Sequence, residues 1–73
     1  MTRQFTAIIE REGDGFVALC PELDVASQGT TILSAKAHLI EAVELFLECA
    51  EDREIRRRLH SDVVVSRFEA RRA

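Results

Sequence analysis

From Ile32 to about Ala50 apolar residues return with helical period, and they cover far more of the helix than one core can use. At about 100° per residue, Ala35, Leu39, Ala42, Phe46 and Cys49 form one narrow stripe. Ile40, Val43 and Leu47 form a second stripe beside it, and Leu45 widens the first on its other flank. Ala37, Glu41, Glu44, Glu48 and Glu51 occupy what remains. The apolar arc is about 220° wide, whereas a surface helix packed on one core needs little more than about 100°. Such a helix must bury a second flank, against another chain or a neighbouring segment.

The chain has 73 residues, enough for one small domain spanning 1–73. At this size only about 60 % of the unfolded surface is buried on folding, so small domains draw extra stability from disulfides, metals or partners. Disulfides and metals are poorly served here. Cys20 and Cys49 form no CxxC pair, and with His38 and His60 they match no zinc spacing. Both cysteines are expected as small buried apolar residues. No metal site and no cofactor is expected; association with another chain is. The longest apolar run, Phe16 to Cys20, is far too short to cross a membrane, and the opening MTRQFTAII has no signal-peptide pattern. A cytoplasmic protein is expected.

Residues 4–11 alternate, with Phe5, Ala7 and Ile9 on one face and Thr6 and Ile8 on the other, which predicts a strand. Gly13-Asp14-Gly15 is a hairpin signal. Residues 16–20 predict a second strand, stopped by Pro21, and 25–29 a third, turned toward the helix by Gly29. Thr31 suits the N-cap of a helix over 32–50. A short charged helical segment over 51–60 is anchored by Ile55 and Leu59. Residues 62–70 predict a last strand, with Val64, Phe68 and Ala70 on one face. The order is β-β-β-α-β, an α+β fold with one sheet and one main helix on one face. The crossover through the helix allows the last strand to lie parallel to a meander strand.

Two apolar surpluses predict a homo-oligomer, dimer or tetramer. One is Ile40, Val43 and Leu47 on the helix, which the Ile55–Leu59 segment of the same chain is equally able to cover. The other is Ile8, Val17 and Leu19 on the far face of the sheet, too apolar to leave in water. Chemistry is sparse by comparison. The serines, cysteines and histidines form no recognisable nucleophile arrangement. The first strand's centre, Thr6-Ala7-Ile8, carries no carboxylate for metal-assisted phosphoryl transfer. No glycine loop is shaped to hold phosphate. His38 is expected partly buried and hydrogen-bonded, His60 as a cap at a helix end. No catalytic residue is assigned, and the chain is not expected to be an enzyme.

Charge is unevenly spread. Through Asp52 three basic residues face ten acidic ones, a balance of −7; from Arg53 onward seven arginines face three acids, a balance of +4. An acidic body favours a basic protein partner over non-specific nucleic acid.

Gly15-Phe16-Val17, Pro21-Glu22-Leu23, Gly29-Thr30-Thr31 and Glu41-Ala42 occur in this order. The combination resembles the HicB-like antitoxin family, in a short form without a separate DNA-binding domain. Where that family often has an acid followed by alanine early in the helix, this chain has Ser34-Ala35, which predicts loss of a full capping box. The resemblance implies a partial RNase H-like fold without its catalytic carboxylates. It also implies an antitoxin that binds and masks a HicA-like mRNA-cleaving toxin. Toxin contact is then expected at Glu41, Glu44 and Glu48, with Asp14, Glu22 and Asp24 as second choice. Direct binding to DNA is not expected. The competing readings are a nucleic-acid-binding module using Arg56–Arg58 and the C-terminal arginines, and an orphan oligomer of the same fold.

Overall fold

The computed structural model describes residues 3–72. Three strands, β1 (Ile8–Glu12), β2 (Gly15–Cys20) and β3 (Val25–Gly29), form an antiparallel meander in the order β1-β2-β3. Two helices follow, α1 (Ile32–Cys49) and α2 (Asp52–Arg58). The α+β reading holds: there is one sheet, with the main helix packed on one of its faces.

Gly13 and Asp14 join β1 to β2, with Glu12 opposite Gly15. Gly13 adopts φ +60 while Asp14 does not enter the left-handed region, as a type II′ hairpin turn requires of its first central residue. β2 pairs with β3 in a register that sets Phe16 opposite Gly29 and Cys20 opposite Val25. Period two then sends Ile9, Phe16, Ala18, Cys20 and Val25 toward the helix. Ala18 and Cys20 are fully buried there beside Leu23, Ala35, Leu39 and Val43.

Thr31 caps α1, its hydroxyl accepting from the Ser34 amide at 3.0 Å. Ser34 Oγ in turn accepts from the Thr31 amide at 3.0 Å. The capping box is therefore present, contrary to the sequence expectation: at the third helical position a serine hydroxyl reaches the N-cap amide as a carboxylate would.

The first strand begins later than its alternation suggested. Extending the register of Ile8 with Leu19 sets Thr6 opposite Pro21, which has no amide to donate. The Glu22 carboxylate takes over, accepting from the Thr6 amide at 3.0 and 3.1 Å and from the Thr6 hydroxyl at 2.6 Å. Residues 3–7 thus precede the strand without a ladder partner.

The fourth strand predicted over 62–70 is absent. His60 donates its amide to the Glu22 carbonyl at 2.7 Å, Asp62 turns through φ 60, and the residues after it meet no ladder. Val64 and Phe68 are 83 % and 86 % exposed. β-branched residues favour a strand only where a pleated neighbour receives them, and the tail meets none in its own chain. The radius of gyration, 14.2 Å, exceeds the roughly 11 Å of a compact domain of this length.

Candidate partner-binding site

α1 lies mainly over β3 and β2 and touches β1 least. The helix-facing side of the N-terminal segment is consequently left open. A groove of about 620 Å³ runs between this segment and α1. Phe5, Ala7, Leu39, Ile40, Val43 and Leu47 give it an apolar floor, and Arg3, Lys36, Glu44 and Glu48 stand around it. Leu33 and Ile40 lie seven residues apart on this flank of the helix and remain 79 % and 49 % exposed. Leu47 continues their line and is half-buried. The excess apolar arc of the helix is thus concentrated along one edge.

The expected oligomer contacts divide. Ile40 borders the groove and is available. Val43 is not, because it belongs to the core at 7 % exposure. Leu47 and, from the segment after α2, Leu59 both pack against that core, so part of the helical surplus is covered within the chain. On the far face of the sheet Ile8 and Leu19 are cross-strand partners, each 37 % exposed, and Val17 beside them is half-buried. Cys49 is a correction: it is exposed, and only Cys20 is buried. Its position at the margin of the apolar stripe faces away from the sheet once Leu39 and Val43 are set inward.

Glu41, Glu44 and Glu48 are all exposed on α1 and recur at helical spacing along one ridge, of which Glu44 and Glu48 border the groove. Asp14 is exposed in the hairpin turn. Glu22 and Asp24 are engaged by other residues of the chain instead, although Asp24 stays exposed. Burial pushes the Glu22 carboxyl upward, but hydrogen bonds from the Thr6 side chain and amide outweigh it and hold its pKa below the ordinary value. Burial pushes the Cys20 thiol up, with a further rise from its hydrogen bond to Glu22, so Cys20 is a neutral thiol near pH 7. Asp24, at φ 55, receives His60 Nε2 at 2.9 Å. His60 therefore binds a loop carboxylate rather than capping a helix. His38 is exposed, and its Nδ1 donates to the Gln28 carbonyl at 2.7 Å.

A depressed carboxyl pKa stabilises the fold above the unfolded value and loses that contribution as pH falls through the folded value. Acid unfolding should therefore steepen below the ordinary glutamate value of 4.5. Glu22→Gln exchanges a charged acceptor for a neutral one. It is expected to cost about 1 kcal/mol near neutral pH and to flatten the acid limb of the stability curve. Equal acid limbs for the two proteins, in urea melts taken from pH 3 to 7, would remove Glu22 as their source.

Composition did not reveal the role of Arg58. Its guanidinium donates to the carbonyls of Leu23 at 2.9 Å and Asp24 at 3.3 Å and lies 4.8 Å from the centre of the Phe46 ring. It fastens α2 to the β2–β3 loop. Arg57 pairs with Glu54 at 2.6 Å. Two of the three consecutive arginines are thus occupied within the fold. Among the described residues no group of three or more His, Cys, Asp or Glu side chains is gathered to hold a metal ion, and no helix is long and apolar enough to cross a membrane.

The chain is similar to the UPF0150 protein ssl0738 of Synechocystis sp., at 48 % identity over 50 residues, which cover 66 % of this chain and 69 % of that protein. No protein-family model matches the chain, and no solved structure matches it significantly.

Proposed function

This chain belongs to the UPF0150 family, and from that premise we propose that it is a HicB-like antitoxin, which neutralises a HicA-like ribonuclease by binding and covering it. The observation carrying this reading is the exposed acidic ridge of Glu41, Glu44 and Glu48, of which Glu44 and Glu48 border an uncovered apolar groove. A protein that acts on mRNA presents a basic surface to phosphate. An acidic ridge competes for that surface, and the adjoining apolar flank supplies water-excluding contact. The chain performs no chemistry in this mechanism; it occupies the toxin's RNA-binding face. Cytoplasmic location and a homo-oligomeric state belong to the same proposal.

The nucleic-acid reading has weaker support, because Arg57 and Arg58 are engaged with Glu54, Phe46 and the loop carbonyls.

The test begins with the adjacent reading frames. One should encode a small basic ribonuclease that arrests growth alone, is silenced by co-expression with this chain, and co-purifies with it. Absence of any such neighbour, or failure to co-purify, ends the proposal. Glu41→Lys combined with Glu48→Lys is expected to weaken the complex about tenfold with thermal stability unchanged. Titration calorimetry giving the wild-type affinity would move the contact to another face.

A further inference from the structure

We infer that the C-terminal tail, residues 62–70, is an interchain strand: it adds to the open β1 edge of a second copy, whose tail returns the contact. Four observations meet in this assignment.

The sheet ends on β1, and the N-terminal segment before it has no strand partner. That edge offers a row of unpaired amides and carbonyls, the ordinary template for an added strand. The tail supplies what such an edge accepts. Val63, Val64, Val65 and Phe68 favour pleated backbone, yet Val64, Val65 and Phe68 are 83 %, 60 % and 86 % exposed.

The two faces of the tail also match the two sides of the edge. Period two places Val64 and Phe68 together, on the side where the groove between Phe5 and Ile40 stands open. Val63 and Val65 then fall on the opposite side, beside the exposed Ile8 and Leu19. One added strand would cover both of the apolar surpluses that the single chain leaves in water.

On the far face of the sheet charge points the same way: period two places Arg67 and Arg71, with Glu69, on the side of Val63 and Val65, where β1 carries Glu10 and Glu12. The groove side is balanced, Arg3 and Lys36 standing with Glu44 and Glu48. In the single chain the tail has no partner of its own: His60 is held by Glu22 and Asp24, Asp62 turns through φ 60, and the residues after it join no strand. Exchange of identical segments about a two-fold axis closes such a contact into a dimer. The occupant is a second copy of this chain, so the inference stands or falls independently of any toxin.

The decisive measurement mixes two full-length variants, Ile40→Cys and Phe68→Cys, each also carrying Cys49→Ser. Mild oxidation of the mixture should yield a covalent dimer in which peptide mapping finds residue 40 of one chain joined to residue 68 of the other. A chain ended after Ser61 should sediment as a monomer while keeping its helical circular dichroism. Three results overturn the inference: a full chain that sediments as a monomer, a shortened chain that keeps the full oligomeric mass, or a 40–68 link that forms only when both cysteines are on one chain. If the shortened chain unfolds, the mixed-cysteine result decides alone.

Discussion

Leu23→Ala should lower stability by about 3 kcal/mol, within the range for emptying a closed leucine site. Leu23 lies in the loop between β2 and β3, yet it is fully buried and has the largest side chain that is. Its surroundings are fixed from several directions, so they have little freedom to collapse into a void. The amide of Leu23 returns to the Cys20 carbonyl at 3.3 Å, and its own carbonyl accepts from Arg58. A 73-residue domain has a total stability of about 4–11 kcal/mol. The loss is therefore a large share, and the melting temperature should fall by roughly 12–24 °C. Leu23→Met keeps the volume and should cost less than about 1.5 kcal/mol. Equal melting temperatures for the alanine and methionine variants would show that the loop, and not the filled site, sets the stability. The Pro21-Glu22-Leu23 segment thus has a structural task at each position: the proline ends β2, the carboxylate receives Thr6, and the leucine closes the core.

What the sequence could disclose depended on how local the cause was. The hairpin was legible because Gly13 and Asp14 separate an alternating run from a continuous apolar one, and the end of β2 because Pro21 has no amide. α1 was legible from its period. Its orientation was not, since an arc of about 220° contains several stripes able to face the sheet. The structure sets Ala35, Leu39 and Val43 inward, leaving Ile40 beside the groove and Cys49 outside. Pairings between residues far apart in sequence were equally hidden. Nothing around Arg58 foretells two loop carbonyls some 35 residues earlier, and nothing around Glu22 foretells the amide of Thr6 sixteen residues before it.

The tail shows a different limit. Its β-branched residues predict a strand, but such residues form one only beside a pleated neighbour, and residues 62–70 have none in their own chain. The candidate site was legible in kind, as acidic residues and spare apolar surface, while its place beside β1 depended on the helix lying off-centre. Glu22 and Asp24 illustrate the converse. Both are loop acids in the sequence, and both serve internal contacts that composition cannot distinguish from a solvated turn.

Gly29→Ala is expected to cost about 2 kcal/mol and to lower the melting temperature by roughly 8–16 °C, although alanine is the smallest possible addition. Gly29 ends β3 opposite Phe16, and two residues later the chain caps α1. A Cβ at Gly29 would lie 2.5 Å from the Ala35 amide nitrogen and 2.8 Å from the Ser34 carbonyl carbon. Both atoms are backbone in the first turn of the helix, so no rotamer change clears them. Relief requires α1 to lift from the sheet, just where Ala35 is fully buried against it. Alanine also restricts the unfolded chain, a gain of about 0.4–1 kcal/mol, which is too small to offset the displacement. The Ser34 hydroxyl would be crowded as well, and Ser34→Ala separates the two sources of strain. Removing that hydroxyl in the Gly29→Ala background should restore nothing, because the backbone contacts remain and the capping box is lost. Recovery of stability in the double variant, read from thermal melts, would place the obstruction in the side chain and leave the close approach of strand end and helix without energetic consequence.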